Sequence, residues 1–214
     1  MLRLEHAEQE GGRPVLVWRS DAPVRALATT VLGGGLGPRS WIVNAEVGLD
    51  YDHDDPGEHV ASIATDLGLD PDGGGVGFLT VARVLDVETT EDGGVTCDAT
   101  VGISTPTWAS APDGAWSRWQ PGTINLVCWV PAPLSDAALA NALVTATEAK
   151  TQALLEAGVP GTGTASDAVA ICCAPGGTEP YGGPRSEWGA RLARAAHEAV
   201  AAGTARFLAT GACS

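Results

Sequence analysis

The chain has 214 residues, and its 26 acidic side chains against 12 basic ones give a formal net charge of -14. A chain of this length buries about 70% of its unfolded surface, enough for one core without staples, so a single domain is expected. So few Lys and Arg cannot form the basic stripe that a phosphate backbone requires, which excludes nucleic acid as a partner and leaves a neutral or cationic small ligand. No segment approaches the roughly 20 apolar residues of a bilayer-spanning helix, and Met1-Leu-Arg-Leu-Glu-His6 carries no apolar leader. The expectation is a cytoplasmic protein with no membrane association. Cys97, Cys128, Cys172, Cys173 and Cys213 are odd in number and lack metal-site spacing, so they read as reduced thiols packed like small hydrophobes.

In chain order, short runs rich in Val, Ile, Leu or Thr predict strands at 14–20, 24–32, 40–47, 77–87, 95–103, 123–130 and 168–174. Helical periodicity predicts helices at 56–67, 135–157 and 186–202. Ser135 is a natural N-cap with Asp136 behind it, and Gly158 stands where a left-handed C-terminal cap belongs. Strand, helix, strand occurs twice, around the first helix and around the second. Adjacent strands elsewhere have no helix between them, which predicts an α+β fold: a layered α/β sandwich with a mixed, largely antiparallel sheet and two similar β-α-β units. The acidic stretch Asp50 to His59 reads as a solvated loop in which Asp54 or Asp55 leads into a helix at Pro56. The spacing of His53 and His59 matches no familiar metal loop, and no metal is expected. His6 and His197 read as surface residues.

Four places have the residue types that amide chemistry needs. Asn125 leads into an apolar strand and must satisfy both its donor and its acceptor, by backbone in a turn or by a substrate amide. On a helical wheel of about 100° per residue, Lys150 falls within the stripe of Leu139, Leu143 and Leu154. It is the only lysine in the chain. Desolvation there makes a base of it, unless a carboxylate such as Glu148 pairs with it. Thr147 lies near Lys150 on the wheel, as a nucleophile or as a helical threonine bonded to its own preceding turn. Gly161-Thr-Gly-Thr-Ala-Ser-Asp167 is a loop of glycines and hydroxyls that presents backbone N–H groups to an oxyanion or forms an ordinary turn.

Gly33-Gly-Gly-Leu36, Trp41-Ile-Val-Asn44, Val101-Gly-Ile-Ser-Thr-Pro106, Gly122-Thr-Ile-Asn125, Thr145-Ala-Thr-Glu-Ala-Lys150 and Gly161-Thr-Gly-Thr164 occur in one order over nearly the whole chain. The ordered set resembles the adenosylcobinamide amidohydrolase family. The resemblance implies hydrolysis of the amide between the aminopropanol arm and the corrin ring, yielding adenosylcobyric acid for corrinoid salvage. Adenosylcobinamide or a related corrinoid is then the substrate, and no cofactor is expected. The residues expected to perform the chemistry are Lys150, Asp167, Thr147 and Asn125, with Lys150 or Asp167 activating a water or threonine hydroxyl. Asn125 and the amides of residues 161–164 then hold the oxyanion. The residues expected to contact substrate are Asn44, Ser104, Thr123, Glu148, Gly161, Thr162, Gly163 and Thr164. Trp108, Trp116 and Trp119 offer faces to a flat ring, although most of the seven tryptophans read as core. A noncatalytic corrinoid-binding protein and another acyl-transfer enzyme with a threonine nucleophile are the rival readings. A homodimer is the commonest assembly for such a protein.

Overall fold

The structure, a computed structural model, describes residues 2–70, 74–115 and 120–211. Its elements are β1 (Arg3–Glu8), β2 (Pro14–Ala28), β3 (Gly35–Glu46), α1 (Pro56–Asp66), β4 (Gly75–Thr80), β5 (Glu88–Asp92), β6 (Val95–Gly102), β7 (Thr123–Val130), α2 (Asp136–Glu156), β8 (Ala168–Cys173) and α3 (Glu187–Thr210), with a 3-10 turn at Val84–Asp86. The strands form one sheet in the order β4-β3-β2-β8-β7-β6-β5, with β1 on the first half of β2. Two pairs are parallel, β3 with β4 and β7 with β8, and each is joined by a helix, α1 in one case and α2 in the other. The other pairings are antiparallel, so the fold is the α+β arrangement with two β-α-β units that the strand and helix order implies.

Alternation along each strand separates the layers. On β7, Ile124, Leu126, Cys128 and Val130 face α2 and α3, whereas Val127 joins a second core with Leu16, Ile42, Phe78, Ala170 and Cys172. On the other half of the sheet, Val15, Val17 and Val43 face Val60 and Ile63 of α1. Each leucine buried in this way contributes about 2 kcal/mol. The sheet thus folds over on itself: one face is shared between its halves, and helices cover the outer faces. Polar ties cross the shared layer: Asn44 Nδ2 donates to Thr100 Oγ1 (2.9 Å) and Trp18 Nε1 donates to Asp98 (2.6 Å).

Several elements differ from the sequence expectation, each for a physical reason. The two runs at 14–20 and 24–32 are one strand, because a register shift between Arg19 and Val24 carries β2 past Asp21 and Pro23. The run at 77–87 is not continuous. β4 stops at Thr80, and Val84 turns into the shared core with its N–H donating to Glu46 Oε2 (2.9 Å). β1 and β5 are short, largely polar strands with no apolar run to announce them. α3 continues through Gly203 to Thr210, because Gly203 marks a close crossing, not an end: a Cβ there would meet Val101 Cγ2 at 2.6 Å. As expected, Cys97, Cys128, Cys172 and Cys173 are buried, and burial pushes the Cys172 thiol up to about 12, far from a nucleophilic thiolate. Cys213, Trp116 and Trp119 lie outside the described residues. Trp18 and Trp41 are core, while Trp108 is exposed. His6 is exposed on β1, and the half-exposed His197 contacts Glu156. Among the described residues, no helix is long and apolar enough to cross a membrane.

Asp98 shows what the shared layer costs. It is 8% exposed, and its two bonded donors, Trp18 Nε1 and Thr89 Oγ1, are neutral. Burial holds its carboxyl above the usual range, although both hydrogen bonds oppose the shift. With the folded pKa above the unfolded one, the stabilising contribution of protonation is complete below the unfolded value and disappears as pH rises through the folded value. Asp98→Asn keeps an acceptor for Trp18 and a donor for Thr89 without the charge. It is expected to raise stability at neutral pH by about 1 kcal/mol, with the gain vanishing in acid. Thermal melts across that pH range check this, and a loss of stability at neutral pH would contradict it.

Candidate active site

A cavity of about 410 Å³ opens at one end of the shared layer, where β2, β3 and β4 end and β7 and β8 begin. Thr29, Thr80, Thr123, Ser166 and Asp167 supply polar atoms to its wall, and Val31, Phe78, Leu79 and Val81 supply apolar ones. Thr123 opens β7, with its hydroxyl 3.0 Å from that of Ser166.

Asn125, 2% exposed, also lines this cavity. Its amide nitrogen is occupied: Nδ2 donates to Asn44 Oδ1 (3.1 Å) and to the carbonyl of Leu79 (3.2 Å). Asn44 is held by its own bond to Thr100, and the Leu79 carbonyl can only accept, so the sense of the Asn125 amide is set. The atom left over is Oδ1, which is buried without a partner among the described residues. Asn125 therefore offers an acceptor, not the oxyanion donor that the sequence alone suggests.

Lys150 is 5% exposed on α2, and its Nζ donates to Asp167 Oδ2. Asp167 Oδ2 also accepts from Thr164 N (3.1 Å), and its Oδ1 accepts from Ile124 N (3.0 Å) and lies against the Thr164 hydroxyl. One carboxylate thus joins α2, the start of β7 and the loop before β8. That loop turns its amides inward: Gly161 N–H donates to Val159 O (2.9 Å), and Thr162 N–H donates to Thr107 O (2.9 Å). Thr107 N–H in return donates to Gly163 O (2.8 Å). Gly163 lies against this ion pair: a Cβ there would come within 2.5 Å of Lys150 Nζ and closer still to Asp167 Oδ2, so one of them would have to shift.

At the cavity edge, Tyr51 stacks on His59 (ring centroids 5.4 Å), which stacks on His53 (4.9 Å). His59 Nδ1 lies 3.0 Å from the Tyr51 hydroxyl. Burial and the neighbouring His53 hold His59 below its usual pKa, and burial and Asp55 raise Tyr51, which favours the neutral forms of both rings. Asp55 caps α1 by accepting from Glu58 N (2.9 Å), as the sequence implies for Asp54 or Asp55. Among the described residues, no group of three or more His, Cys, Asp or Glu is arranged to hold a metal.

The sequence profile of the adenosylcobinamide amidohydrolase family matches residues 2–211. The chain belongs to that family. A relative named adenosylcobinamide amidohydrolase, from Halobacterium salinarum, is 44% identical over 117 residues, which is 51% of this chain and 50% of that protein. Another of the same name, from Methanosarcina mazei, is 31% identical over 185 residues, 82% of this chain and 88% of that protein. The match thus spans half the length of the first relative and most of the second. A solved structure, the PH0078 protein from Pyrococcus horikoshii OT3, superposes with a TM-score of 0.41 at 15% identity over 93% of this chain and 78% of that one, too distant to support an argument.

Within this family member, the residues singled out from the sequence separate into groups. Asn125, Thr123 and Asp167 line the cavity. Asn44 and Lys150 sit behind it as partners of Asn125 and Asp167, and residues 161–164 form the loop tied to Asp167 and Thr107. Ser104 is half-buried in the loop after β6. Thr147 and Lys150 do not come together: Thr147 is exposed and bonds back to Leu143 O (2.9 Å). Glu148 is also exposed, in a groove between α2 and α3 on the outer layer. The buried face of α2 is centred on Ala142, Ala146, Ala149 and Ala153, not on its leucines, and this turns Thr147 outward and Thr145 inward. Tyr51, Thr29 and Thr80 were not singled out, because they adjoin the cavity only through the closure of the sheet. The one sequence signal for Tyr51 is an aromatic ring set among histidines just before a capped helix.

Proposed function

We propose that this chain hydrolyses the amide joining the aminopropanol arm to the corrin ring of adenosylcobinamide, releasing adenosylcobyric acid and aminopropanol for corrinoid salvage. The match of the family profile to residues 2–211 carries this reading, and the relatives from Halobacterium and Methanosarcina bear the corresponding name. In the reaction a water oxygen bonds to the amide carbon, the C–N bond breaks, and a proton from water goes to the departing amine. The cavity supports the assignment by its size. About 410 Å³ lies at the small end of ligand sites and suits the arm and its amide, while the broad corrin ring stays at the mouth. There the stacked rings of Tyr51, His59 and His53 offer apolar faces.

In this reading Thr123 and Asn125 meet the arm, and Asn44 orients Asn125. Lys150 and Asp167 hold the cavity wall in place, since both carboxylate oxygens already have protein donors. Incubation of the purified protein with adenosylcobinamide, followed by mass spectrometry, is expected to show adenosylcobyric acid, with EDTA-treated and metal-supplemented samples run in parallel. Unchanged substrate in every sample would overturn the proposal.

A further inference from the structure

Burying a carbonyl oxygen without a donor costs roughly 1–3 kcal/mol, and strand interiors do not usually retain such a group. Asn125 Oδ1 is in that condition, on a residue that lines the cavity. Rotating the amide does not relieve it, because Oδ1 would then face the Leu79 carbonyl and the amide nitrogen would lose both its acceptors. On β7, Asn125 stands between Thr100 of β6 and Ala168 of β8; the Asn44 tie is on the Thr100 side, and Ala168 lines the cavity. The cavity is thus the side from which a donor can be supplied to Oδ1.

We infer that Asn125 Oδ1 accepts the N–H of the scissile secondary amide, which makes Asn125 a residue selecting secondary over tertiary amides and orienting the C–N bond that breaks. The inference rests on the function proposed above, because it takes the arm amide as the occupant of the cavity. The match is chemical: a secondary amide carries one N–H, and Asn125 Oδ1 is a buried acceptor without a partner among the described residues, fixed in its sense by Asn44 and Leu79. An N-methylated amide or an ester presents no hydrogen there and leaves Oδ1 unpaired, the circumstance in which polar sites discriminate most strongly.

The test compares adenosylcobinamide with its analogue methylated on the scissile nitrogen, in the wild-type protein and in Asn125→Ala and Asn125→Thr. Threonine suits a strand and keeps a hydroxyl that can donate to Leu79 O, so it serves if the alanine protein does not fold. In wild type, methylation is expected to lower kcat/KM by on the order of 100-fold. In a folded variant, turnover of the parent amide is expected to fall by a similar factor, and the penalty for methylation to shrink below about 10-fold. An equal methylation penalty in wild type and variant, or a variant that hydrolyses the parent amide at the wild-type rate, overturns the inference. If wild type does not hydrolyse adenosylcobinamide at all, the proposed function fails separately. Equilibrium dialysis of the two compounds against the same proteins then reads the preference directly, and equal binding of both by wild type overturns it.

Discussion

Replacing Asp167 with alanine is expected to lower the melting temperature by about 10 °C or more and to abolish turnover. The carboxylate receives Lys150 Nζ, Thr164 N and Ile124 N, and its removal leaves a buried ammonium and two backbone donors without their acceptor. Breaking a buried ion pair from one side costs about 3–5 kcal/mol, and each kcal/mol is worth roughly 2–4 °C in a chain of this size. Lys150→Met is expected to be milder, because it removes one donor and leaves the carboxylate its backbone partners. Circular dichroism melts and a turnover assay on both variants test the order. A protein with Asp167→Ala that melts like wild type yet lacks activity would make Asp167 a participant in the chemistry, not the tie that holds α2, β7 and the loop together.

Gly163→Ala is expected to come close to Lys150→Met in its effect, a loss of about 3 kcal/mol, although it deletes no interaction. Its methyl group would enter the contact between Lys150 Nζ and Asp167 Oδ2, and the loop cannot retreat, because Thr107 and Gly163 bond to each other through the backbone. Either the ion pair opens or the loop leaves Thr107. A melt within 1–2 °C of wild type would show that the loop has more room than its hydrogen bonds imply. Gly163 has no left-handed backbone requirement, so close approach is the whole reason for glycine there.

What was legible in the sequence was local or carried by ordered motifs. The β-α-β unit of β7, α2 and β8 appears with nearly its expected ends, because an apolar strand, the Ser135 cap and the left-handed Gly158 are all decided by neighbours a few residues away. The buried setting of Lys150 follows in the same way from helical periodicity, and the family follows from the order of its motifs.

Contacts between distant segments were decided by the tertiary structure alone. Asn125 becomes an acceptor only because Asn44 and Leu79, far away in the chain, approach when the sheet folds over. Thr147 faces outward because the buried face of α2 is centred on its alanines, with Leu139 and Leu154 buried beside them. Tyr51 reaches the cavity from a loop whose composition reads as solvated, and Asp167 spends its lone pairs on three separate segments. Sequence alone therefore determined the family and those elements that carry an apolar run or a helical period with caps. The direction in which each polar group points was settled by packing, because a hydrogen bond depends on partners that the chain brings together only when it closes.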